Sequence, residues 1–136
     1  MKKLLTSTGR LVYSGQNEGL KLNLEIDKDI ARYYRALIPK YMKCQVPRYP
    51  PHCTVVRPFK ETPLCLKAWG EFDNEIVQFK YEPTVYFDNV YYWLNVWCDR
   101  LTELRAGLGM LPRSKWTLPP KQYYKCFHIT IPNKKY

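Results

Sequence analysis

Two stretches in opposite halves of the chain carry the same short pattern, and this repetition constrains the fold more than any other feature of the sequence. Leu22-Asn23-Leu24-Glu25-Ile26-Asp27 is matched by Leu94-Asn95-Val96-Trp97-Cys98-Asp99. Each reads as a half-buried strand that delivers an Asp to cap a helix. After the first, Ile30, Tyr34, Leu37 and Ile38 recur at helical spacing until Pro39 removes a backbone donor. After the second, Leu101, Leu104 and Leu108 share one face of a helix from Arg100 to Leu108, with Gly107 or Gly109 at its end. A proline-rich passage then leads in each half to a closing strand, His52 to Val56 and Phe127 to Ile131. Between the halves, Thr62-Pro63 is expected to cap a short helix through Ala68. Glu75 to Tyr81 and Thr84 to Phe87 read as strands, with Asp88-Asn89 as a tight turn into Val90 to Cys98. The expectation is one α+β domain over residues 1–136: two pseudo-symmetric lobes of antiparallel sheet, approximately 15–85 and 86–136, with flanking helices around a central cleft.

Composition supports a folded, basic protein. Hydrophobic residues make up 46% and aromatics 15% of the chain, too many core-forming side chains for a disordered tail. The longest apolar run near the start is Leu4-Leu5, far short of a signal peptide or a membrane span, so neither export by that route nor a membrane partner is expected. Cys44, Cys53, Cys65, Cys98 and Cys126 form an odd set without CxxC spacing, which fits reduced thiols in a cytoplasm better than a disulfide frame or zinc site. Twenty-two bases against twelve acids give a formal net charge of +10, which favours a polyanionic partner. Two segments without acids concentrate that charge. One carries Arg32, Arg35, Lys40, Lys43, Arg48, Arg57 and Lys60; the other carries Arg105, Arg113, Lys115, Lys121, Lys125, Lys134 and Lys135.

The chain has two histidines, and each stands two places before a threonine: His52-Cys53-Thr54 and His128-Ile129-Thr130. On a strand, alternate residues share a face, so each closing strand presents an imidazole and a hydroxyl together, with Cys53 or Ile129 on the opposite side. Two opposed imidazoles suit phosphoryl transfer. One takes a proton from an attacking hydroxyl while the other gives one to the leaving oxygen, and the threonines donate to the non-bridging phosphate oxygens. Which histidine is acid and which base is left open by the sequence. A metal is the weaker reading, because no carboxylate or cysteine stands at ligand spacing from either histidine; neither a metal nor another cofactor is expected.

The paired His-x-Thr strands in a duplicated small chain resemble the two-histidine (2H) phosphoesterase superfamily, whose members process 2',5' or 2',3'-cyclic phosphodiesters and related nucleotides. Six segments are similar to the bacteriophage anti-CBASS phosphodiesterases: Thr8 to Tyr13, Glu25 to Asp27 with Ile30 to Tyr34, Pro51 to Arg57, Val77 to Tyr81, Tyr92 to Val96 and Phe127 to Ile131. The resemblance implies a 2H phosphoesterase-like fold and cleavage of cyclic di- and trinucleotide messengers, evading bacterial immunity from within the host cytoplasm. It carries the catalytic roles onto His52, Thr54, His128 and Thr130, and implies aromatic base binding, for which Tyr13, Trp69 and Tyr81 are the candidates. Processing of tRNA ends or other single-stranded RNA, and sequestration of a cyclic nucleotide without cleavage, remain the alternatives. The basic linker from Met110 to Tyr124 is a candidate lid.

Overall fold

The structure, a computed structural model, describes residues 3–42, 44–45, 47, 49–87, 91–114 and 126–134. The Asp88-Asn89 turn, Lys43, Arg48, most of the connection proposed as a lid and the last two residues lie outside the described residues. The described elements run β1 (Leu5–Ser14), β2 (Lys21–Ile26), α1 (Lys28–Ala36), β3 (Cys44–Gln45), β4 (His52–Val56), β5 (Ile76–Tyr81), β6 (Tyr86–Phe87), β7 (Tyr91–Trp97), α2 (Asp99–Gly107) and β8 (Phe127–Lys134).

The protein is α+β, and its strands form one antiparallel sheet in the order β3-β8-β4-β2-β1-β5-β7-β6. Because β8 also pairs with β7, six strands close into a barrel and only the two-residue β3 and β6 stand outside the ring. Strand alternation fills its interior: Leu22, Leu24, Cys53, Leu94, Val96 and Ile129 are all fully buried. The doubling is visible within this sheet. Around the β4–β8 junction the order is β7-β8-β4-β2, each half contributing an opening and a closing strand. Each helix follows its own half's strand but packs on the other's, α1 against β8 and α2 against β4. The halves are thus joined edge to edge in one closed sheet, where two lobes around a central cleft are expected from the sequence.

Four local expectations change. The Asp27 carboxylate caps α1 by accepting from Asp29 N at 2.9 Å, but α2 is preceded by the extended Cys98 and Asp99 is already helical. There Asp99 favours the helix through its dipole instead of a capping bond. No helix forms over 62–68, where exposed Leu64 and Leu66 offer no face to bury, and the amides of Leu64 and Cys65 donate to Leu108 O at 3.0 and 3.1 Å. The strand β1 lies ahead of the expected first lobe and pairs with both β2 and β5; its Thr6-Ser7-Thr8-Gly9 run lacks apolar alternation. Finally, β8 continues beyond Ile131. Between the pairs Trp93↔Thr130 and Tyr91↔Asn133 it carries one extra residue, and this irregularity takes in Pro132, which has no amide to donate.

A second irregularity shapes the site. Between Leu22↔Val56 and Asn23↔Thr54, β2 advances one residue and β4 two, so Val55 is the extra residue of a bulge. Its carbonyl accepts from Arg105 Nη1 at 2.7 Å. Arg105 is 1% exposed; it pairs with Glu61 at 3.1 and 3.2 Å and donates through Nε to Leu111 O at 2.6 Å. All five cysteines are unbridged, and among the described residues no helix is long and apolar enough to cross a membrane.

Removing the Glu61 carboxylate leaves the buried Arg105 cation without its counter-charge. Glu61→Ala is therefore expected to destabilise the protein by about 3–5 kcal/mol in urea unfolding. A loss below about 1 kcal/mol would show that water, not Glu61, compensates Arg105.

Candidate functional site

The two His-x-Thr motifs meet at the β4–β8 junction. Cys53 and Ile129, the middle residues of the motifs, are paired across it, and both side chains are fully buried in the barrel. Extending this antiparallel register by one residue sets His52 opposite Thr130 and Thr54 opposite His128 on the outer face. The imidazoles are then diagonal neighbours, a relation that spans about 7–8 Å. Burial pushes the Cys53 thiol far up from its ordinary pKa, so it is no nucleophile despite standing between His52 and Thr54.

His52 and Thr54 open onto a cleft of about 330 Å³, together with Asn23 and Glu25 of β2, Tyr49 and Arg57. His52 Nδ1 lies 2.8 Å from Pro50 O. A carbonyl can only accept, so Nδ1 carries the hydrogen and Nε2 is the nitrogen left to exchange a proton with a ligand. Thr130 lines a neighbouring hollow of about 170 Å³ with Lys28, Arg32 and Arg35 of α1, and Tyr49 borders both spaces. His128 lines neither of these spaces and is only 7% exposed. Beside it in register stands Asn95, whose Oδ1 accepts from Trp93 Nε1 at 2.9 Å.

Burial dominates the electrostatics of both histidines. It pushes His128 down to about 3, with the positive charge of Arg57 and the neighbouring His52 acting in the same direction. His52 is also lowered, first by burial; the Pro50 carbonyl opposes this, Lys21 and Arg57 reinforce it, and Glu25 opposes it. Both imidazoles are therefore neutral near pH 7 in the free protein, His128 the more firmly. Arg57 is lowered by its own burial while Glu61 raises it. Among the described residues no group of three or more His, Cys, Asp or Glu side chains is placed to hold a metal ion.

The aromatic candidates do not reach this face. Tyr13 is paired with Leu22 in register, so its ring lies across the sheet from Val12 and Ser14, which border the histidine cleft. It meets Trp69 edge-on at 4.9 Å, and it helps to line a separate hollow with Phe72 and Arg100. Tyr81 is 8% exposed and packs edge-on against Tyr34 at 6.1 Å. Tyr49, at 69% exposure, is the aromatic residue that does border the cleft. The basic segments also divide. Arg105 is spent on Glu61 and the bulge, and Arg113 sits over the Phe127 ring while donating to Thr102 Oγ1 at 2.6 Å, whereas Arg57, Arg32 and Arg35, with Lys28 from outside these segments, line the two spaces at the motifs.

Asn23, Asn95 and Arg57 belong to this face although their sequence context did not single them out as site residues. The asparagines carried a signal, since each is the second residue of the repeated six-residue pattern and both fall on the motif face. Comparison with protein-family models, with curated proteins and with solved structures gives no match.

The lowered His128 makes stability depend on pH. Between its unfolded value near 6.5 and its folded value near 3 the unfolded chain binds the extra proton, so acidification favours unfolding by about 1.4 kcal/mol per pH unit. The midpoint of urea unfolding is expected to fall from pH 6.5 to pH 4, and a His128→Gln variant is expected to show a flatter dependence over that window. Equal slopes in the two proteins would mean that His128 ionises with an ordinary pKa in the folded state.

Proposed function

We propose that this protein is a phosphodiesterase that opens 3'-5' linkages of cyclic di- and trinucleotides through attack by the substrate's own 2'-hydroxyl, with His128 as base and His52 as acid. The observation that supports the reading is the registration of Cys53 against Ile129, from which antiparallel pairing sets His52 beside Thr130 and Thr54 beside His128. In the reaction His128 accepts the 2'-hydroxyl proton, the 2'-oxygen bonds to phosphorus, and the bond from phosphorus to the 5'-oxygen breaks. Protonated His52 gives its proton to that leaving oxygen. The product is linear, with a 2',3'-cyclic phosphate at one end and a 5'-hydroxyl at the other. Thr54 and Thr130 donate to the phosphate's non-bridging oxygens as charge builds there.

The division of labour between the histidines rests on their surroundings. His128 is buried beside a guanidinium charge and is neutral in the free protein, the form that can accept a proton, and the negative charge of a bound phosphate would raise its low proton affinity. His52 is the more exposed, and its Nδ1–H donates to Pro50 O, a bond that favours the imidazolium once an anionic substrate arrives. We read the architecture as 2H phosphoesterase-like on the strength of the strand-helix doubling about the β4–β8 junction. A protein of this activity would remove the cyclic nucleotides with which bacteria signal infection.

The test is a panel of cyclic di- and trinucleotides incubated with the protein and resolved by chromatography. His52→Ala and His128→Ala are each expected to lower turnover on the order of a hundred- to ten-thousand-fold while the fold persists. Thr54→Val and Thr130→Val should lower it less. Activity should survive excess EDTA, and a fully 2'-deoxy cyclic dinucleotide should bind without being cut. Cleavage of that analogue at a comparable rate would make water the nucleophile and overturn the reading. Faster cutting of single-stranded RNA would move the substrate to linear RNA, and recovery of intact nucleotide from every incubation would mark a sequestering protein.

A further inference from the structure

The Val55 bulge decides where Arg57 points. By strict alternation Arg57 would share the inward face of Cys53 and Val55, as the sequence pattern implies. The extra residue reverses this. Val55 and Val56 are both buried, and Arg57 emerges into the cleft with His52 and Thr54. The arrangement is clasped from behind, with Arg105 holding the Val55 carbonyl and Glu61 accepting from the Arg57 amide at 2.9 Å. Since Glu61 pairs with Arg105 through both carboxylate oxygens, the side-chain charge of Arg57 is left without an ion pair among the described residues.

Two residues that line this cleft each carry a buried side-chain atom without a hydrogen-bond partner among the described residues: Arg57 its Nε, a donor, and Asn23 its Oδ1, an acceptor. Each is costly to leave unpaired, and the two ask for opposite partners. Asn23 is in register with Thr54, so the acceptor stands beside the first motif.

We infer that Arg57 and Asn23 are the ligand-reading pair of this cleft, Arg57 binding a phosphate ester and Asn23 accepting from a hydroxyl next to that phosphate. A ribose phosphate with its adjacent hydroxyl free offers both groups at once. A bare phosphate satisfies only Arg57, and a deoxyribose phosphate leaves Asn23 unpaired. The assignment rests on the phosphodiesterase reading for its part in turnover, where Arg57 would hold the scissile phosphate and Asn23 would hold the 2'-hydroxyl of the bound substrate until its proton turns to His128, but the binding it describes is independent of cleavage.

Calorimetry with adenosine 3'-monophosphate and its 2'-deoxy analogue as probes tests this on the full chain. Wild-type protein should bind the ribose probe more tightly. Arg57→Gln should weaken both probes on the order of ten- to a hundredfold, with Arg57→Lys retaining part of the affinity. Asn23→Ala should weaken only the ribose probe, about three- to tenfold, erasing the preference. NMR titration supplies a readout within the free protein, because losing the Arg57 charge should raise the His128 pKa. If Arg57→Gln does not fold, the milder Arg57→Lys and the Asn23 variant carry the test. Unchanged affinity in the folded Arg57 variants, or equal losses for both probes in Asn23→Ala, overturns the assignment. If Arg57-dependent probe binding is found but no cyclic nucleotide is cut, the phosphodiesterase reading fails and the ligand site stands. If turnover is found with probe affinity and KM indifferent to Arg57, the site fails and the reading stands.

Discussion

Everything at the candidate site depends on β8 being bonded along both edges. Its pairing with β7 completes the second half, and its pairing with β4 joins that half to the first, so one strand both closes the barrel and brings the two motifs into register. A slip of one residue would turn His128 and Thr130 into the barrel and force Ile129 and Ile131 out. The fully buried Cys53, Ile129 and Ile131 therefore hold the register through the hydrophobic effect, and the outward imidazoles are aligned as a consequence.

Charge is distributed by the same geometry. A protein this small has little room for buried polar groups, yet α2 buries Arg105, whose guanidinium spans the bulge carbonyl, Glu61 and the Leu111 carbonyl. That cation stabilises shape. Arg57, two residues beyond the bulge, lies outside the pairing, and its field falls on both histidines. Burial first, and this cation after it, keeps the two imidazoles neutral in the free protein, and the cation makes the cleft receptive to an anion, whose arrival would raise their proton affinity. The basic stripe of Lys28, Arg32 and Arg35 extends this positive surface past Tyr49 to Thr130.

Much of the architecture was legible where hydrophobic period and caps agree. The β2 strand, the Asp27 cap, α1, β4, β5 and α2 lie close to where the pattern puts them. β1 was not legible, because a strand whose buried positions include Gly9 and whose flanks are Thr and Ser shows no alternation, and its place is set by β2 and β5 on either side. The helix expected over 62–68 failed for the converse reason: its start signal was present, but no apolar face awaited it, and its amides are used by Leu108. Ring chemistry alone makes Tyr13, Trp69 and Tyr81 candidates, and it says nothing about the side of the sheet on which a ring lies.

The amino-acid sequence by itself determined the doubled strand-helix order and the pairing of each histidine with a threonine on one face of a strand. Both are local properties, set by periodicities of two and 3.6 residues that a single chain segment carries. Only the tertiary structure decided that the halves share one closed sheet, that Cys53 meets Ile129, and that Arg57 joins the histidines while Tyr13 and Trp69 face elsewhere. Those outcomes turn on long-range register and on a one-residue bulge held by Arg105 from fifty positions away, contacts whose partners no local window contains.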